Sequence, residues 1–229
     1  MLTKLHRLLR TFANRERAAH SPRFFKTAPG QYGHGDQFLG LTVPAMRLVV
    51  CEFRELPLPD AAALLASPWH EDRLVALMIL VEQYCRTPAA RAAIFRLYLS
   101  HTNRINNWDL VDVSAANVVG AHLEERSRKP LYRLAKSKSL WERRIAIVAT
   151  LPFIRRNDFG DTLAIARLLL ADKHDLIHKA CGWMLREVGK RDENVLREFL
   201  DEHAATMPRT MLRYAIERLP DRQRYLSLK

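Results

Sequence analysis

The 229-residue chain is 48% hydrophobic and 27% charged, which is enough apolar material for a buried core and excludes a disordered chain. Its formal net charge of +12 favours a polyanionic partner, either nucleic acid or an anionic membrane surface. Three cysteines without a CxxC pair argue against a zinc site and favour a reducing compartment. No apolar run is long enough to predict a membrane-spanning helix. Of the two polyanions we favour nucleic acid and expect no membrane partner.

The first 26 residues predict a basic N-terminal helix region. They hold seven Lys or Arg residues against one Glu, a net charge of +6 and half of the excess of the whole chain. The apolar positions follow a helical period: Leu2, Leu5, Leu8, Leu9 and Phe12. The segment lacks the long apolar run and cleavage site of a signal peptide. A mitochondrial presequence can look similar, but a packed first helix is preferred.

Residues 27–43 hold four of the eight glycines and predict a loop. No GK[ST] triplet follows and no strand–helix–strand pattern surrounds them, so they form neither a P-loop nor a dinucleotide-binding turn. Residues 44–229 predict consecutive helices with short connections, beginning with Pro44 near a helix N-terminus, where its missing N–H costs nothing. One domain over residues 1–229 is expected.

The helices repeat along the chain. The segments DRLVALMIL, VDVSAANVV, RRIAIVATL, HKACGWML and LRYAIERL each place a polar residue before an apolar helical stripe. Aligning them pairs Arg73, Asp112, Arg144, Lys179 and Arg213, at steps of 39, 32, 35 and 34 residues. A period near 35 with two helices per repeat indicates an all-α solenoid, because each helix pair buries its apolar face against the next.

Equivalent positions of a solenoid stack on one surface, so these five residues predict a mainly basic column that can follow phosphates. Asp112 is the exception, since an acid beside a phosphate backbone costs affinity. Two explanations stay open: Asp112 takes part in a reaction, or it forms a structural ion pair with Arg144.

A second basic cluster lies on the last two repeats. It is either a surface that follows DNA or a solvated face, and it consists of Arg186, Lys190, Arg191, Arg209 and Arg213.

Aromatic residues accompany the column. Trp108 lies four residues before Asp112, and Trp183 lies four after Lys179, so each pair shares a helix face. Trp141, after a helix-capping serine, is interpreted as core. Indole faces attract cations, and a carboxylate stabilises a positive centre or orients a water. Glycosidic cleavage passes through an oxocarbenium-like state, so such a site could act on a cationic nucleoside without metal or covalent nucleophile.

Five segments make the chain resemble the AlkD-type DNA alkylation-repair glycosylases over about residues 32 to 220: YGHGDQFLGLTVPAMR, RINNWDLVDVSA, SLWERRIAIVAT, HDLIHKACGWMLREVGKRD and MPRTMLRYAIERLP. The resemblance implies a C-shaped α-solenoid of HEAT-like repeats with a basic concave face. It also implies a lesion-binding cleft formed by Trp108, Asp112, Arg144 and Trp183, approached by Tyr32 from the N-terminal region. That family contacts the lesion through the duplex backbone, without extruding the base into a pocket.

The resemblance therefore implies a monofunctional glycosylase that excises positively charged N3- and N7-alkylpurines from duplex DNA in base excision repair. Asp112 would stabilise the sugar cation, Trp108 and Trp183 would contact sugar and backbone, and Arg144 would hold a phosphate or Asp112. Further DNA contacts are expected from Tyr32, Arg73, Lys179, Arg186, Lys190, Arg209 and Arg213.

No cofactor or metal is expected, because His174 and His178 have the spacing of a helical metal pair but no further ligands nearby. A monomer acting on nucleoid DNA in a bacterial-type cytoplasm is expected. Two rivals stay open: a non-catalytic HEAT-repeat binder of branched or distorted DNA, and a protein-interaction scaffold.

Overall fold

The computed structural model describes residues 1–227 and is built from α-helices. The helices are α1 (Leu2–Thr11), α2 (Arg15–Phe25), α3 (Val43–Glu52), α4 (Leu58–Leu65), α5 (His70–Arg86), α6 (Arg91–Ser100), α7 (Trp108–Ala115), α8 (Ala121–Leu123), α9 (Lys129–Ala135), α10 (Leu140–Val148), α11 (Leu151–Arg155), α12 (Gly160–Leu168), α13 (Asp175–Arg191), α14 (Glu193–His203), α15 (Arg209–Ala215) and α16 (Gln223–Leu226). Within residues 1–227 the only β-pairing is one isolated bridge, between Gln37 and Trp69. The all-α prediction is confirmed.

The chain divides by its internal packing into two compact units, Met1–Val118 and Val119–Lys229. Unit 1 contains α1 to α7, and its long loop separates α2 from α3, as the glycines predict. Unit 2 contains α8 to α16. A single domain over residues 1–229 stays a prediction.

Helix pairs recur in both units. In unit 1, α4 packs on α5 and α5 packs on α7. In unit 2, α9 packs on α10, α12 packs on α13, and α10, α13 and α15 pack in succession. Each neighbour therefore covers the apolar face that the previous pair leaves open, which is how helical repeats build a continuous core.

One side-chain contact defines the repeat register. At the start of three helices a basic side chain contacts the carbonyl oxygen of the residue six positions earlier, which lies in the preceding turn. The pairs are Arg73 and Ser67 at 2.9 Å, Arg143 and Ser137 at 3.0 Å, and His178 and Asp172 at 2.6 Å. In each case the side chain of the earlier residue also accepts the backbone N–H two residues on, which orders the turn.

The helix starts test the alignment made from the sequence. Asp112, Arg144, Lys179 and Arg213 are each the fifth residue of their helices, α7, α10, α13 and α15. Arg73 is the fourth residue of α5, as are the other two basic residues of this contact in their own helices. The alignment therefore follows the helix starts at four positions and is one residue off at Arg73.

Gly40 marks a close approach between the loop and α2. Its φ is +76°, and a Cβ there would lie 2.3 Å from the carbonyl oxygen of Asn14 and 2.5 Å from the amide nitrogen of Ala18. Arg17 Nε donates to the Gly40 carbonyl at 2.8 Å, and the Glu71 carboxylate accepts the Gly40 N–H at 2.8 Å. Because the two atoms nearest to that Cβ position belong to the backbone of α2 and its N-cap, movement of a side chain cannot relieve the clash.

We expect Gly40→Ala to lower the free energy of unfolding of unit 1 by more than about 2 kcal/mol, since left-handed strain of about 1 kcal/mol adds to the backbone clash. Urea unfolding monitored by circular dichroism measures the loss. Gly30→Ala is the matched control, because Gly30 has a similar φ of +79° with open space around its Cβ position. Equal losses at the two positions would show that the approach to α2 does not matter.

Candidate functional site

The residues of RINNWDLVDVSA lie on and just before α7. The helix starts at Trp108, whose N–H is accepted by the side chain of Asn107 at 2.9 Å. Four residues of α7 turn into the core: Leu110, Val111, Ser114 and Ala115. Trp108 and Asp112 lie one turn apart and are both half-buried. The shared, partly exposed helix face expected from their spacing is therefore present.

The indole of Trp108 packs against the last turn of α2. The Phe25 ring stacks on it with centroids 5.9 Å apart, and the Phe24 ring meets it edge-on at 5.7 Å. Phe24 itself is 62% exposed. The indole is therefore held in place by neighbouring rings at the edge of the solvent-accessible surface.

A buried polar network holds the beginning of α7. His70 Nε2 contacts Asp109 Oδ2 at 2.7 Å, and its Nδ1 contacts Asp36 Oδ2 at 3.1 Å. Arg73 Nη2 lies 2.7 Å from the same Asp36 oxygen, and Asn106 Nδ2 donates to Asp36 Oδ1 at 3.1 Å. These five residues, here called the His70 cluster, tie together the loop, α5 and the start of α7.

Contacts within the His70 cluster shift the pKa of His70 and the pKa of Asp36. Burial alone would lower the pKa of His70, but its hydrogen bonds to Asp109 and Asp36 raise that pKa to about 9. Burial would raise the pKa of Asp36, but the hydrogen bond to His70 and the charge of Arg73 outweigh it, so this pKa lies below its ordinary value. At neutral pH His70 is therefore a cation and Asp36 a carboxylate.

Arg73 was expected on a DNA-contacting surface, and the structure corrects this expectation. Its side chain is 1% exposed, forms an ion pair with Asp36 and donates to the Ser67 carbonyl. A guanidinium buried in this way has no surface to offer a phosphate, so Arg73 has no place among the proposed DNA contacts.

Tyr32 lies in the loop between α2 and α3 and is half-buried. The later part of this loop is attached to α5 through Glu71, whose carboxylate accepts the backbone N–H groups of Leu39, Gly40 and Leu41 at 2.9, 2.8 and 3.3 Å. The loop is therefore fixed to the helix that also carries His70.

In unit 2, Arg144 and Trp183 lie on the neighbouring helices α10 and α13. Arg144 is 5% exposed, and its Nη1 donates to the carbonyl of Leu176 at 2.5 Å. Trp183 is half-buried, and its Nε1 donates to Glu187 Oε1 at 3.2 Å. Lys190 Nζ lies 2.7 Å from the same Glu187 oxygen. The Glu187 carboxylate therefore neutralises Lys190, one of the predicted DNA-binding cations.

Three other predicted cations of unit 2 are also accompanied by acceptors. Lys179 pairs with Asp175 at 2.8 Å, Arg186 pairs with Glu217, and Arg209 Nη1 donates to the Leu226 carbonyl at 3.1 Å. A groove of about 550 Å³ is lined by Asp175, Lys179, Thr210, Arg213, Tyr214 and Glu217. This surface is therefore mixed in charge, with exposed cations beside carboxylates.

Four further observations concern the histidine pair, metal binding, membrane spans and the core. His174 caps α13 by accepting the Leu176 N–H at 3.1 Å, and His178 contacts a backbone carbonyl, so each has a structural partner. Across residues 1–227, no cluster of three or more His, Cys, Asp or Glu side chains could hold a metal ion. No helix in the described part of the chain is long and apolar enough to span a bilayer. Trp141 is buried, as predicted.

The His70 cluster was missed by sequence reasoning, although a signal was present. The segment WHEDR places four titratable residues at the start of α5, just before the strongly apolar run LVALMIL. Charged residues at this point of a buried helix require buried partners. Their partners, Asp36 and Asp109, are more than thirty residues away in sequence, which hides the pairing from local patterns.

Fold and site together define an all-α helical-repeat protein whose basic chain suits a polyanion. The family model described as DNA alkylation repair enzyme matches residues 5–219, nearly the whole chain, and the chain belongs to this family. The family indicates a role in alkylation repair, with DNA as the partner.

Comparison with solved structures agrees on the fold. A structure described as a predicted DNA alkylation repair enzyme from Enterococcus faecalis superposes with a TM-score of 0.70, covering 91% of this chain and 97% of that chain at 19% identity. A search of curated proteins finds no match.

Proposed function

We propose that this protein is a monofunctional DNA glycosylase of base excision repair that excises cationic N3- and N7-alkylpurines from duplex DNA. One observation carries the proposal: α7 presents an indole, fixed by Phe24 and Phe25, one turn from the carboxylate of Asp112. Family membership supports alkylated DNA as the substrate, and the resemblance to AlkD-type enzymes supports cleavage of the glycosidic bond.

The chemistry suits these two side chains. The base of an N3- or N7-alkylpurine nucleotide is already positively charged, so the C1′–N bond breaks with its electron pair moving to a base that leaves neutral. The sugar becomes oxocarbenium-like, and the Asp112 carboxylate would stabilise that charge and accept a proton from the water that adds at C1′. The face of Trp108 would add about 0.5–2 kcal/mol of cation attraction.

Unit 2 would bind the DNA backbone. By the resemblance, Trp183 contacts the sugar and backbone, and Arg144 holds a phosphate. Phosphate contacts are proposed for Lys179, Arg186, Lys190, Arg209 and Arg213, and a contact beside the lesion is proposed for Tyr32. The reaction would use no metal or cofactor. We further propose a monomer of HEAT-like repeats that acts on nucleoid DNA in the cytoplasm.

The direct test is incubation of the protein with a duplex that carries one 7-methylguanine. We expect free 7-methylguanine, detected by mass spectrometry, and an abasic site that breaks only after alkali treatment. The same duplex with 2′-fluoroarabino sugar at the lesion should bind equally well but release no base, because the fluorine destabilises the oxocarbenium-like state. Tight, salt-dependent binding without release would instead support a non-catalytic DNA binder, and weak binding with a shallow salt slope would support a scaffold.

A further inference from the structure

We propose that His70 is a positioning residue: as an imidazolium held between two carboxylates, it fixes the first turn of α7. Through that turn it would set the placement of the indole and the carboxylate of the candidate site. The effect on base release rests on the proposed function, whereas the state of His70 and the order of α7 are testable without DNA.

The geometry requires a protonated ring. Both ring nitrogens of His70 face carboxylate oxygens, Nδ1 at 3.1 Å from Asp36 and Nε2 at 2.7 Å from Asp109. A neutral imidazole has only one N–H, so one nitrogen would place its lone pair against a carboxylate. The imidazolium donates to both. It also balances charge, because the cluster then sets two cations, His70 and Arg73, against the carboxylates of Asp36 and Asp109.

The surroundings strengthen these contacts. The His70 side chain is 2% exposed, and the rings of Phe25 and Phe38 lie 4.6 and 5.1 Å from it. The charged groups around His70 come from three elements: Asp36 from the loop, Arg73 from α5 and Asp109 from α7. Helix α2 contributes the uncharged ring of Phe25. In this water-poor setting each charged hydrogen bond is stronger than at the surface, and an unpaired charge is costly. The raised pKa of His70, about 9, agrees with this arrangement.

Two routes connect His70 to the candidate site. Asp109, which accepts from His70, directly follows Trp108 and precedes Asp112 by one turn. Phe25 contacts both the His70 ring and the Trp108 indole, at 4.6 and 5.9 Å. The backbone of α7 and the aromatic packing around Trp108 therefore both depend on contacts with the His70 ring.

The experiment compares His70→Gln with Tyr98→Phe. Tyr98→Phe is the matched control, because it removes a buried 2.9 Å hydrogen bond to Ser114 on the same helix without touching the His70 cluster. We measure single-turnover release of 7-methylguanine, affinity for the lesion duplex, amide hydrogen exchange in α7 and the ¹⁵N shifts of the His70 ring.

For His70→Gln we expect release to slow about 100-fold at unchanged duplex affinity, because an ångström-scale misplacement of reacting groups costs about that much. Exchange at Asp109 to Asp112 should accelerate at least about tenfold, and Tyr98→Phe should change release by less than about threefold. In the wild type both ring nitrogens should be protonated at pH 7.5, and α7 should lose protection as the pH rises through about 9. His70→Gln should show no such step.

Unchanged release and exchange in His70→Gln would overturn the proposal, as would a His70 ring that titrates at its ordinary pKa. If the wild type releases no base, the proposed glycosylase function fails on its own. Ring protonation and α7 exchange then decide the role of His70. If His70→Gln does not fold, the wild-type titration and the pH dependence of exchange decide it.

Discussion

Asp112→Asn is expected to slow base release about 10²–10³-fold while leaving duplex affinity within a few-fold of the wild type. The amide keeps the shape of the side chain but removes the negative charge that would stabilise the oxocarbenium-like sugar. Affinity should not fall, because an acid beside a phosphate backbone weakens binding. Single-turnover release at saturating protein measures the chemical step, and fluorescence anisotropy measures the affinity.

The comparison variant is Asp109→Asn, which makes the same change one turn earlier on the same helix. Asp109 accepts from His70 at 2.7 Å, so its loss should destabilise unit 1 by about 1–3 kcal/mol by weakening a part-buried charged hydrogen bond. Any slowing of release in Asp109→Asn should therefore come with that loss of stability. If both variants lost release equally with stability intact, the chemical role proposed for Asp112 would be wrong.

Asp36→Ala is expected to lower the free energy of unfolding of unit 1 by about 3–5 kcal/mol, because it leaves two buried cations, His70 and Arg73, without their shared carboxylate. Urea unfolding measures the loss. Asp201→Ala is the control: Asp201 forms an exposed ion pair with Arg224 at 3.3 Å, and such pairs contribute less than about 1 kcal/mol. A loss below 1 kcal/mol for Asp36→Ala would mean that the His70 cluster does not stabilise the fold.

The pH dependence of this loss has a defined sign. The pKa of Asp36 is lowered in the folded state, so its contribution is present above the ordinary value of 3.8 and is lost as the pH falls. The pKa of His70 is raised, so its contribution is fully present below 6.5 and disappears as the pH rises through about 9. The deficit of Asp36→Ala should therefore be largest in weakly acidic solution and shrink towards both extremes.

Helical periodicity predicts much of this fold correctly. Spacing alone places Trp108 and Asp112 on one face of a helix, and Trp141 is buried as the helical pattern predicts. Periodicity fails for Arg73, which the sequence assigns to a surface column and the structure buries in an ion pair with Asp36. Whether a cation can be buried depends on its partner, and Asp36 lies in a loop that has no helical period. Local patterns therefore give the faces of helices but not the long-range charge pairs.

One helix of the repeat series is braced from outside its own turn. In three helices the fourth residue is basic and contacts the carbonyl of its own preceding turn, namely Arg73, Arg143 and His178. The fourth residue of α7 is Val111, an apolar side chain buried in the core. The first turn of α7 is held instead through Asp109, by His70 of α5. The order of the helix that carries the candidate site therefore depends on a side chain of the preceding repeat, and damage to α5 would reach the site without touching it.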